Sequence, residues 1–401
     1  RWAVLMVWLS NMFLCWGGPE MSTNVPIEAP GNRAQQLISE ALQMLAEGRQ
    51  FSGGIYTSSD MYELEKERVF KREWLAIGRV EHFEKPGDYK AFRIVDEPIV
   101  VCRDKDGNLN AYRNVCRHRG VEVAVGEGNV KNFTCPYHAW EYDLNGRLLW
   151  ATYPEDIKGF DLANCRLPSV QLETWAGFVF INLDLEASSL RETHGEILQQ
   201  CEFLNLQDMR EVSTCIIEPA CNWKLIGENV WDIYHLGVVH ANTFAKDFNP
   251  RDFKFHTLPG GAFYGKYRSQ SCGRPDGKTL FGTIPWLDVD EGFAFGAQIP
   301  PTFSIIARHD AVYSVITEPL GIDQCRFIVY THLPKEWLDR PDFKKNADLY
   351  GDFIRVIFEE DNAMLGSIQV GINSEVFNPG PATHLETAVH HLTKGILERI
   401  I

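Results

Sequence analysis

The chain has 401 residues, of which 45% are hydrophobic and 23% charged, a composition typical of a soluble globular protein large enough for two cores. Its formal net charge of −15 argues against nucleic acid as a partner, because phosphate binding needs a basic surface. The ten cysteines are spread along a long chain, which favours reduced thiols and a cytoplasmic protein over a disulfide framework.

The first 20 residues form an apolar stretch that is interrupted at Ser10 and Asn11. Because of this interruption, its continuous apolar run falls short of the roughly 18 residues needed to span a bilayer. The stretch also lacks the basic start and small-residue cleavage site of a secretory signal. We interpret residues 1–20 as a non-native or upstream segment that precedes a functional start at Met21, and we expect no membrane partner.

The next part of the chain changes from helical to β-type patterning. Apolar spacing predicts a helix over 33–48 and a second one over 58–72. From about residue 74 to residue 184, short alternating runs are separated by turn residues, which predicts a compact all-β module.

The second half of the chain mixes helices and strands. We predict helices over 187–209 and 222–237, strands within 304–334, and a long helix over about 340–367. Strands beside a long C-terminal helix indicate an α+β domain with a cavity beneath that helix.

Two Cys–His pairs lie within the all-β region, Cys116 with His118 and Cys135 with His138. Structural zinc sites usually group their ligands as two closely spaced cysteines and two closely spaced histidines. One cysteine and one histidine from each of two loops is instead the pattern of a Rieske [2Fe–2S] centre, in which two imidazoles replace thiolates on one iron. The spacing favours that cluster over zinc. Because such a cluster only carries electrons, a second site should use them.

A second group of potential ligands lies within 221–244. Glu228, Asp232 and His235 step by four and three residues, so they would share one face of a helix. His240 comes five residues later, and Gly237 would allow the helix to end or distort so that both imidazoles meet. Two histidines and a carboxylate form the facial triad of non-haem Fe(II) oxygenases; half-buried core histidines are the alternative.

The third ligand is predicted from the periodicity of the last long helix. Asp361 falls on the apolar face that contains Ile357 and Leu365, whereas Glu359 and Glu360 point away from it. A lone carboxylate on a buried face is costly unless it binds a cation or a partner. We therefore predict Asp361 as the ligand, with a buried ion pair to Arg or Lys as the alternative.

The two sites together resemble the α subunit of Rieske non-haem iron oxygenases, the aromatic-ring-hydroxylating dioxygenases. The likeness runs from about Ile55 to Gly371 and includes CRHRG, CPYHAWEYDLNGRL, GFVFINLD and EEDNAMLGSIQVG in the family's order. It implies that Cys116 and Cys135 bind one iron of the cluster and that His118 and His138 bind the other. It also implies a mononuclear Fe(II) held by His235, His240 and Asp361.

The resemblance implies further roles and partners. Asp232 would link the iron site to the Rieske histidine of a neighbouring subunit, which implies a homotrimer, with or without a β subunit. Asn229 matches a position close to the iron. NAD(P)H electrons would come from a separate reductase, with or without a ferredoxin, and would pass through His138 and Asp232 to the iron, which activates O₂.

The resemblance also implies a fold and its domain boundaries. Residues 56–185 would form the all-β Rieske [2Fe–2S] domain, and residues 186–401 a helix-grip-like α+β catalytic domain that carries the mononuclear iron. Residues 21–55 would form a helical segment that packs on the catalytic domain.

We expect hydroxylation of an aromatic substrate, with or without a carboxylate. The alternative is a Rieske monooxygenase that acts on a quaternary ammonium, alkylamine, or O- or N-alkyl compound. A third alternative, an electron-transfer protein without a substrate, is disfavoured by the paired histidines and the buried Asp361. Arg268 or Lys266 would meet a substrate carboxylate, or they are solvated surface charges.

Overall fold

The structure is a computed structural model that describes residues 30–156, 160–245 and 248–401. The segment 1–20, with its predicted upstream origin, lies outside these residues. Helices and sheets are both present, which confirms the predicted α+β class. All nine cysteines within the described ranges are free thiols. None of the helices in this part of the chain is both long and apolar enough to span a membrane.

Three helices come first: α1 (Pro30–Ala46), α2 (Gly54–Thr57) and α3 (Ser59–Glu65). The side chain of Ser58 caps α3 by accepting a hydrogen bond from the Met61 N–H at 3.4 Å. The predicted helix over 58–72 is therefore shorter as an α-helix, because the chain continues as a π-helical turn over Lys66–Phe70.

Ten short strands follow, in two antiparallel sheets. They are β1 (Leu75–Arg79), β2 (Asp88–Ile94), β3 (Glu97–Arg103), β4 (Leu109–Arg113), β5 (Glu127–Asn129), β6 (Phe133–Thr134), β7 (Glu141–Tyr142), β8 (Leu148–Trp150), β9 (Ser169–Trp175) and β10 (Phe178–Asn182). Seven strands form a sheet in the order β1-β10-β9-β4-β3-β2-β5, and β6-β7-β8 form a small second sheet. The loops between β4 and β5 and between β6 and β7 carry the two Cys–His pairs.

The rest of the chain is built around a third sheet. Its elements are α4 (Leu190–Cys201), β11 (Met209–Ile217), α5 (Lys224–Trp231), α6 (Leu236–Val239), β12 (Lys254–Thr257), β13 (Phe263–Arg268), β14 (Phe293–Ile299), β15 (Phe303–Arg308), β16 (Val312–Pro319), β17 (Cys325–Pro334), α7 (Phe343–Ile372) and α8 (Thr387–Ile400). The strand order β11-β17-β16-β15-β14-β13-β12 is antiparallel throughout. Helix α7 packs on β11 and β17 and also touches α5.

The prediction of one helix over 187–209 was wrong at its end. Helix α4 stops at Cys201, and β11 begins at Met209 and pairs with β17 from Met209 to Ile217. The run MREVSTCII in β11 is rich in β-branched residues, which suit a strand. Its backbone hydrogen bonds, however, are made with β17, which comes more than 100 residues later in the chain. Strands β12 to β14 and helix α8 were not predicted.

Candidate metal centres

The helix that precedes the two histidines is anchored to the sheet at its last residue. The Trp231 side chain lies over Gly296 of β14, where an added Cβ would lie 2.4 Å from the indole ring. Its indole N–H donates to the Gln298 side-chain oxygen at 2.7 Å. This packing holds the end of α5 against the sheet, directly before the site.

The chain then leaves the helix, so the prediction of a continuous helix over 222–237 was wrong. Asp232 has an extended backbone (φ −76°, ψ 93°), and the chain turns before α6 begins at Leu236. Gly237, which was expected to end the helix, lies within α6. The break at Asp232 therefore sets the direction of the segment that carries His235 and His240.

Three side chains from two elements meet at one point. The Nε2 atoms of His235 and His240 are 3.3 Å apart, and Asp361 Oδ1 lies 3.4 Å from the first and 3.0 Å from the second. Imidazole and carboxylate ligands that bind one ion at roughly 2.0–2.2 Å and at right angles are separated by about 3 Å. The arrangement fits a two-histidine, one-carboxylate centre that leaves coordination positions open.

Contacts within the site shift the pKa values of His235 and Asp361. Burial alone would lower the pKa of His235, but its contacts with Asp232 and Asp361 raise that pKa to about 9. Burial alone would raise the pKa of Asp361, whereas His235 and His240 hold it below its usual range. A cation bound between them would replace the imidazole proton, because metal ligation requires neutral imidazole.

The far side of His240 is held by a carboxylate that was predicted only to point away from the apolar face. Glu360 Oε2 lies 2.7 Å from His240 Nδ1 and also accepts a hydrogen bond from the Thr243 hydroxyl at 2.8 Å. This contact occupies Nδ1 and leaves Nε2, which faces Asp361, as the nitrogen available to a metal. The only sequence signal for this role was its position next to Asp361.

Asp232 and Asn229 make the remaining polar contacts around the triad. Asp232 Oδ2 lies 3.3 Å from His235 Nδ1, on the side of the ring opposite Asp361. The Asn229 amide donates to Asp361 Oδ1 at 3.2 Å. Both residues thus contact a predicted ligand without belonging to the group of three that could bind a metal.

Two cavities meet at His235 and Asn229, which line both. We call the first the inner cavity; it lies between β15, β16 and α7, and its other lining residues include Phe244, Ile306, Arg308, Tyr313, Phe358 and Asp361. We call the second the outer cavity; it is lined by Tyr56, Asp232, Met364, Ile368 and Phe377, among others. One imidazole therefore lies between two cavities whose walls are largely apolar.

The two Cys–His loops have the same backbone construction. The Cys116 N–H donates to the Val121 carbonyl at 2.9 Å, and the Cys135 N–H donates to the Trp140 carbonyl at 2.8 Å, five residues on in each case. Both thiols are buried. The rings of His118, which is exposed, and His138, which is half-buried, have centroids 4.5 Å apart. The thiols therefore lie on the inner side of the loops and the imidazoles toward the surface.

Neighbouring aromatic residues hold this arrangement. Trp140 stacks on His118 with centroids 4.9 Å apart and an interplanar angle of 10°. The Tyr142 hydroxyl lies 3.3 Å from Cys116 Sγ and accepts from the Arg117 N–H at 3.0 Å. These contacts fix one imidazole and one thiol before any metal is considered.

The loops fit a two-iron cluster better than a single zinc ion. Four ligands of one tetrahedral zinc would lie within about 4 Å of one another. Within the described ranges, His235, His240 and Asp361 are the only group of three or more such side chains whose ligand atoms lie within 4.8 Å. In addition, His138 Nδ1 is buried without a hydrogen-bond partner among those residues. Two separate pairs with an unsatisfied imidazole nitrogen suit a ligand set shared between two irons.

Two family models match the two parts of the chain that contain the candidate sites. A family model described as the Rieske [2Fe-2S] domain matches residues 73–161, which include both Cys–His pairs. A model described as the ring hydroxylating alpha subunit (catalytic domain) matches residues 206–400, which include His235, His240 and Asp361. The chain therefore combines a Rieske domain with the catalytic domain of the ring-hydroxylating α subunits.

Individual curated relatives match parts of the chain. The oxygenase subunit of carnitine monooxygenase from Acinetobacter pittii (strain PHEA-2) is 37% identical over 190 residues, 46% of this chain and 51% of that protein. The α subunit of benzene 1,2-dioxygenase from Pseudomonas putida is 35% identical over 233 residues, 56% of this chain and 51% of that protein. The chain thus spans about half the length of these curated relatives.

A solved structure has the same fold over most of the chain. A quaternary ammonium Rieske monooxygenase aligns with a TM-score of 0.75 and 22% identity, covering 88% of this chain and 96% of that one. At this level of identity the likeness describes the fold only.

The two basic side chains that were considered as partners of a substrate carboxylate lie away from the triad of potential iron ligands. Arg268 is exposed and pairs with Asp290 at 2.9 Å. Lys266 is exposed and lies over the Phe203 ring at 5.6 Å. The surface-charge interpretation of Arg268 and Lys266 therefore fits their positions.

Glu228 also points away from the triad, because its carboxylate accepts hydrogen bonds from the hydroxyls of Tyr56 and Thr393. Burial raises the pKa of Glu228 to about 7.

We expect Glu360→Gln to weaken binding of the mononuclear iron by about 10- to 100-fold, because a neutral amide holds the His240 Nδ1–H less firmly than a carboxylate. Competition with a ferrous chelator at constant pH would measure this. Glu359→Gln, which removes an exposed carboxylate one residue earlier on α7, should leave the affinity unchanged. Equal affinities for wild type and Glu360→Gln would show that this contact does not orient the ligand.

Proposed function

We propose that the chain is the terminal oxygenase component of a Rieske non-haem iron oxygenase, in which electrons pass through the Cys–His loops to an iron beside a small organic substrate. The observation that carries this proposal is the convergence of His235, His240 and Asp361 at the wall of a largely apolar cavity. An electron-transfer protein without a substrate would need neither that group nor that cavity. A cytoplasmic location is part of the proposal, because a thiolate-bound cluster needs reducing conditions.

The protein's own side chains have separate tasks in this proposal. A ferrous ion held by the triad would supply the redox chemistry that activates O₂. Glu360 and Asp232 orient the two imidazoles, and Asn229 orients the Asp361 carboxylate. Phe244, Phe358 and the aliphatic residues around them exclude water from the space next to the ligands.

We propose that electrons enter from the outer cavity. Asp232 lies there with its side chain 26% exposed, on the opposite side of His235 from Asp361. Around it, Met364, Ile368 and Val370 of α7 are exposed apolar residues, a surface suited to cover by another protein surface. The Rieske loops of a second copy would bring His138 to this surface. Repeated head to tail, this contact would build the homotrimer that the family resemblance implies. A separate reductase, with or without a ferredoxin, would reduce the cluster with NAD(P)H electrons.

For the substrate, we propose an aromatic ring, since Phe244, Tyr313 and Phe358 line the inner cavity and favour stacking or edge contacts with another ring. The second candidate is a quaternary ammonium compound. It is supported by the 37% identity to a carnitine monooxygenase oxygenase subunit. The two candidates differ in what the cavity must neutralise, because a quaternary cation requires aromatic faces or anionic groups around it.

The proposed function predicts substrate-dependent oxygen consumption. Protein purified without air would be combined with a reductase, NADH and candidate substrates, and products formed under ¹⁸O₂ would be analysed by mass spectrometry. We expect one labelled oxygen atom in the product of a monooxygenase and two in that of a dioxygenase. NADH oxidation that reduces the cluster but never incorporates label with any substrate of either class would contradict the proposal.

We expect Asp232→Asn to lower turnover by about 10- to 100-fold while iron and sulfide contents stay unchanged. The substitution retains the shape of the side chain but removes the charge beside His235 Nδ1. Steady-state turnover and metal analysis would be measured on the same preparation. Asp252→Asn, an exposed carboxylate outside both cavities, is the matched control. If Asp232→Asn instead lost the mononuclear iron, the role of Asp232 would be to orient His235 as a ligand rather than to serve electron transfer.

A further inference from the structure

One buried cation in the wall of the inner cavity has no anionic partner among the residues that the structure describes. Arg308, at the end of β15, is 4% exposed. Within the described ranges its guanidinium pairs with no carboxylate, and its Nε has no hydrogen-bond acceptor. The acid nearest in sequence, Asp310, accepts from the hydroxyls of Ser271 and Tyr350 instead. A buried arginine without an anion is costly, so this position calls for a ligand that supplies one.

Arg308 touches two aromatic side chains and the buried thiol of Cys272. Its Nη1 donates to the Tyr267 hydroxyl, and its Cζ lies 5.1 Å from the Tyr267 ring centroid and 5.8 Å from that of Phe244. Aromatic faces stabilise a guanidinium but leave its charge uncompensated. They also restrict its orientation, so that the unpaired Nε is held in a defined place.

A second donor without a partner lies beside it. The Tyr313 hydroxyl is buried and makes no hydrogen bond to a described residue. Tyr313 of β16 pairs with Ile306 of β15, and Arg308 lies two residues from Ile306, so the two side chains project from the same face of the sheet. Both residues line the inner cavity together with the metal triad. Because arginine can only donate, the missing ligand must accept.

We propose that Arg308 and Tyr313 form an anion subsite that binds a carboxylate of the substrate. This inference rests on the proposed oxygenase function and narrows its substrate class. Phe244 lies between the subsite and the iron ligands, since its ring centroid is 4.9 Å from that of His240. The substrate's carbon skeleton would lie along Phe244, with its carboxylate at Arg308 and its reacting carbon toward the iron. Aromatic acids and zwitterionic betaines fit this subsite, whereas neutral hydrocarbons and simple quaternary cations do not.

The test compares two pairs of probes that differ in the carboxylate. Benzoate would be compared with benzamide, and glycine betaine with choline, by equilibrium binding and by the shift in unfolding temperature of the iron-loaded protein. We expect at least one carboxylate to bind about 10-fold more tightly than its partner, equivalent to about 1.4 kcal/mol. Arg308→Gln should abolish this difference and Tyr313→Phe should reduce it, whereas Arg268→Gln, which removes an exposed arginine, should preserve it.

Several outcomes would overturn the subsite. They are the absence of a carboxylate preference in wild type for both pairs, or a preference that survives in both Arg308→Gln and Tyr313→Phe. If Arg308→Gln does not fold, Tyr313→Phe decides alone, because it removes a single hydroxyl. Metal analysis separates the two proposals: a carboxylate preference in a protein without mononuclear iron supports the subsite and contradicts the oxygenase.

Discussion

We expect Asp361→Ala to lower the iron content from about three to about two per chain while about two acid-labile sulfides remain. Asp361 is the only anionic member of the triad, and its Oδ1 lies within 3.4 Å of both imidazole Nε2 atoms. Two neutral imidazoles alone would bind a ferrous ion weakly. Substrate-dependent turnover should fall below detection, while the EPR signal of the dithionite-reduced cluster stays as in wild type.

Glu359→Gln is the control for this experiment, because it changes an exposed carboxylate two residues away on the same helix. It should keep the wild-type iron content and turnover. If Asp361→Ala retained all of its iron, the carboxylate ligand would have to be another residue, with Glu360 and Asp232 as the candidates. If wild type already contained only two irons, the mononuclear centre itself would be contradicted.

Cys116→Ala should have the opposite effect on the two sites. We expect loss of the sulfide, of the reduced-cluster EPR signal and of about two of the three irons, because two buried thiolates are needed to bind one iron of the cluster. About one iron should remain, at the triad. Cys116 and Cys135 also belong to the small core around Tyr142 and Trp140, so the unfolding temperature of the Rieske region should fall as well.

Cys215→Ala controls for the removal of a buried thiol, since Cys215 lies in β11 and is 1% exposed. The sulfide content and the EPR spectrum of Cys215→Ala should match those of wild type. Retention of the cluster in Cys116→Ala would show that this pair does not hold it. Zinc in place of iron, without sulfide, would show that the loops form a structural zinc site.

Local sequence carried most of what could be predicted about the metal sites. The spacing of Cys116 and His118, and of Cys135 and His138, reflects tight turns of six residues whose hydrogen bonds are internal to each loop. Asp361 could be distinguished from its acidic neighbours because a long helix repeats regularly, and α7 is continuous from Phe343 to Ile372. The ligand assignments themselves remain predictions until the metals are measured.

The helix over 222–237 shows where this reasoning fails. Periodicity placed Asp232 and His235 on one helical face, and the two do lie together, but across a break in the helix. The break follows Trp231, whose ring fits over Gly296 on a strand more than 60 positions later. No pattern within the segment records that contact.

Spacing within a loop or along one element was therefore enough to predict the two ligand sets, the all-β module and the long α7 helix. Only the tertiary structure decided that Glu360 supports His240, that Arg268 lies on the surface, and that Arg308 and Tyr313 point into the inner cavity. Each of those depends on which residues of distant strands and helices face each other. That pairing is set by the registration of β14, β15 and β16 and by the packing of α7 on the sheet.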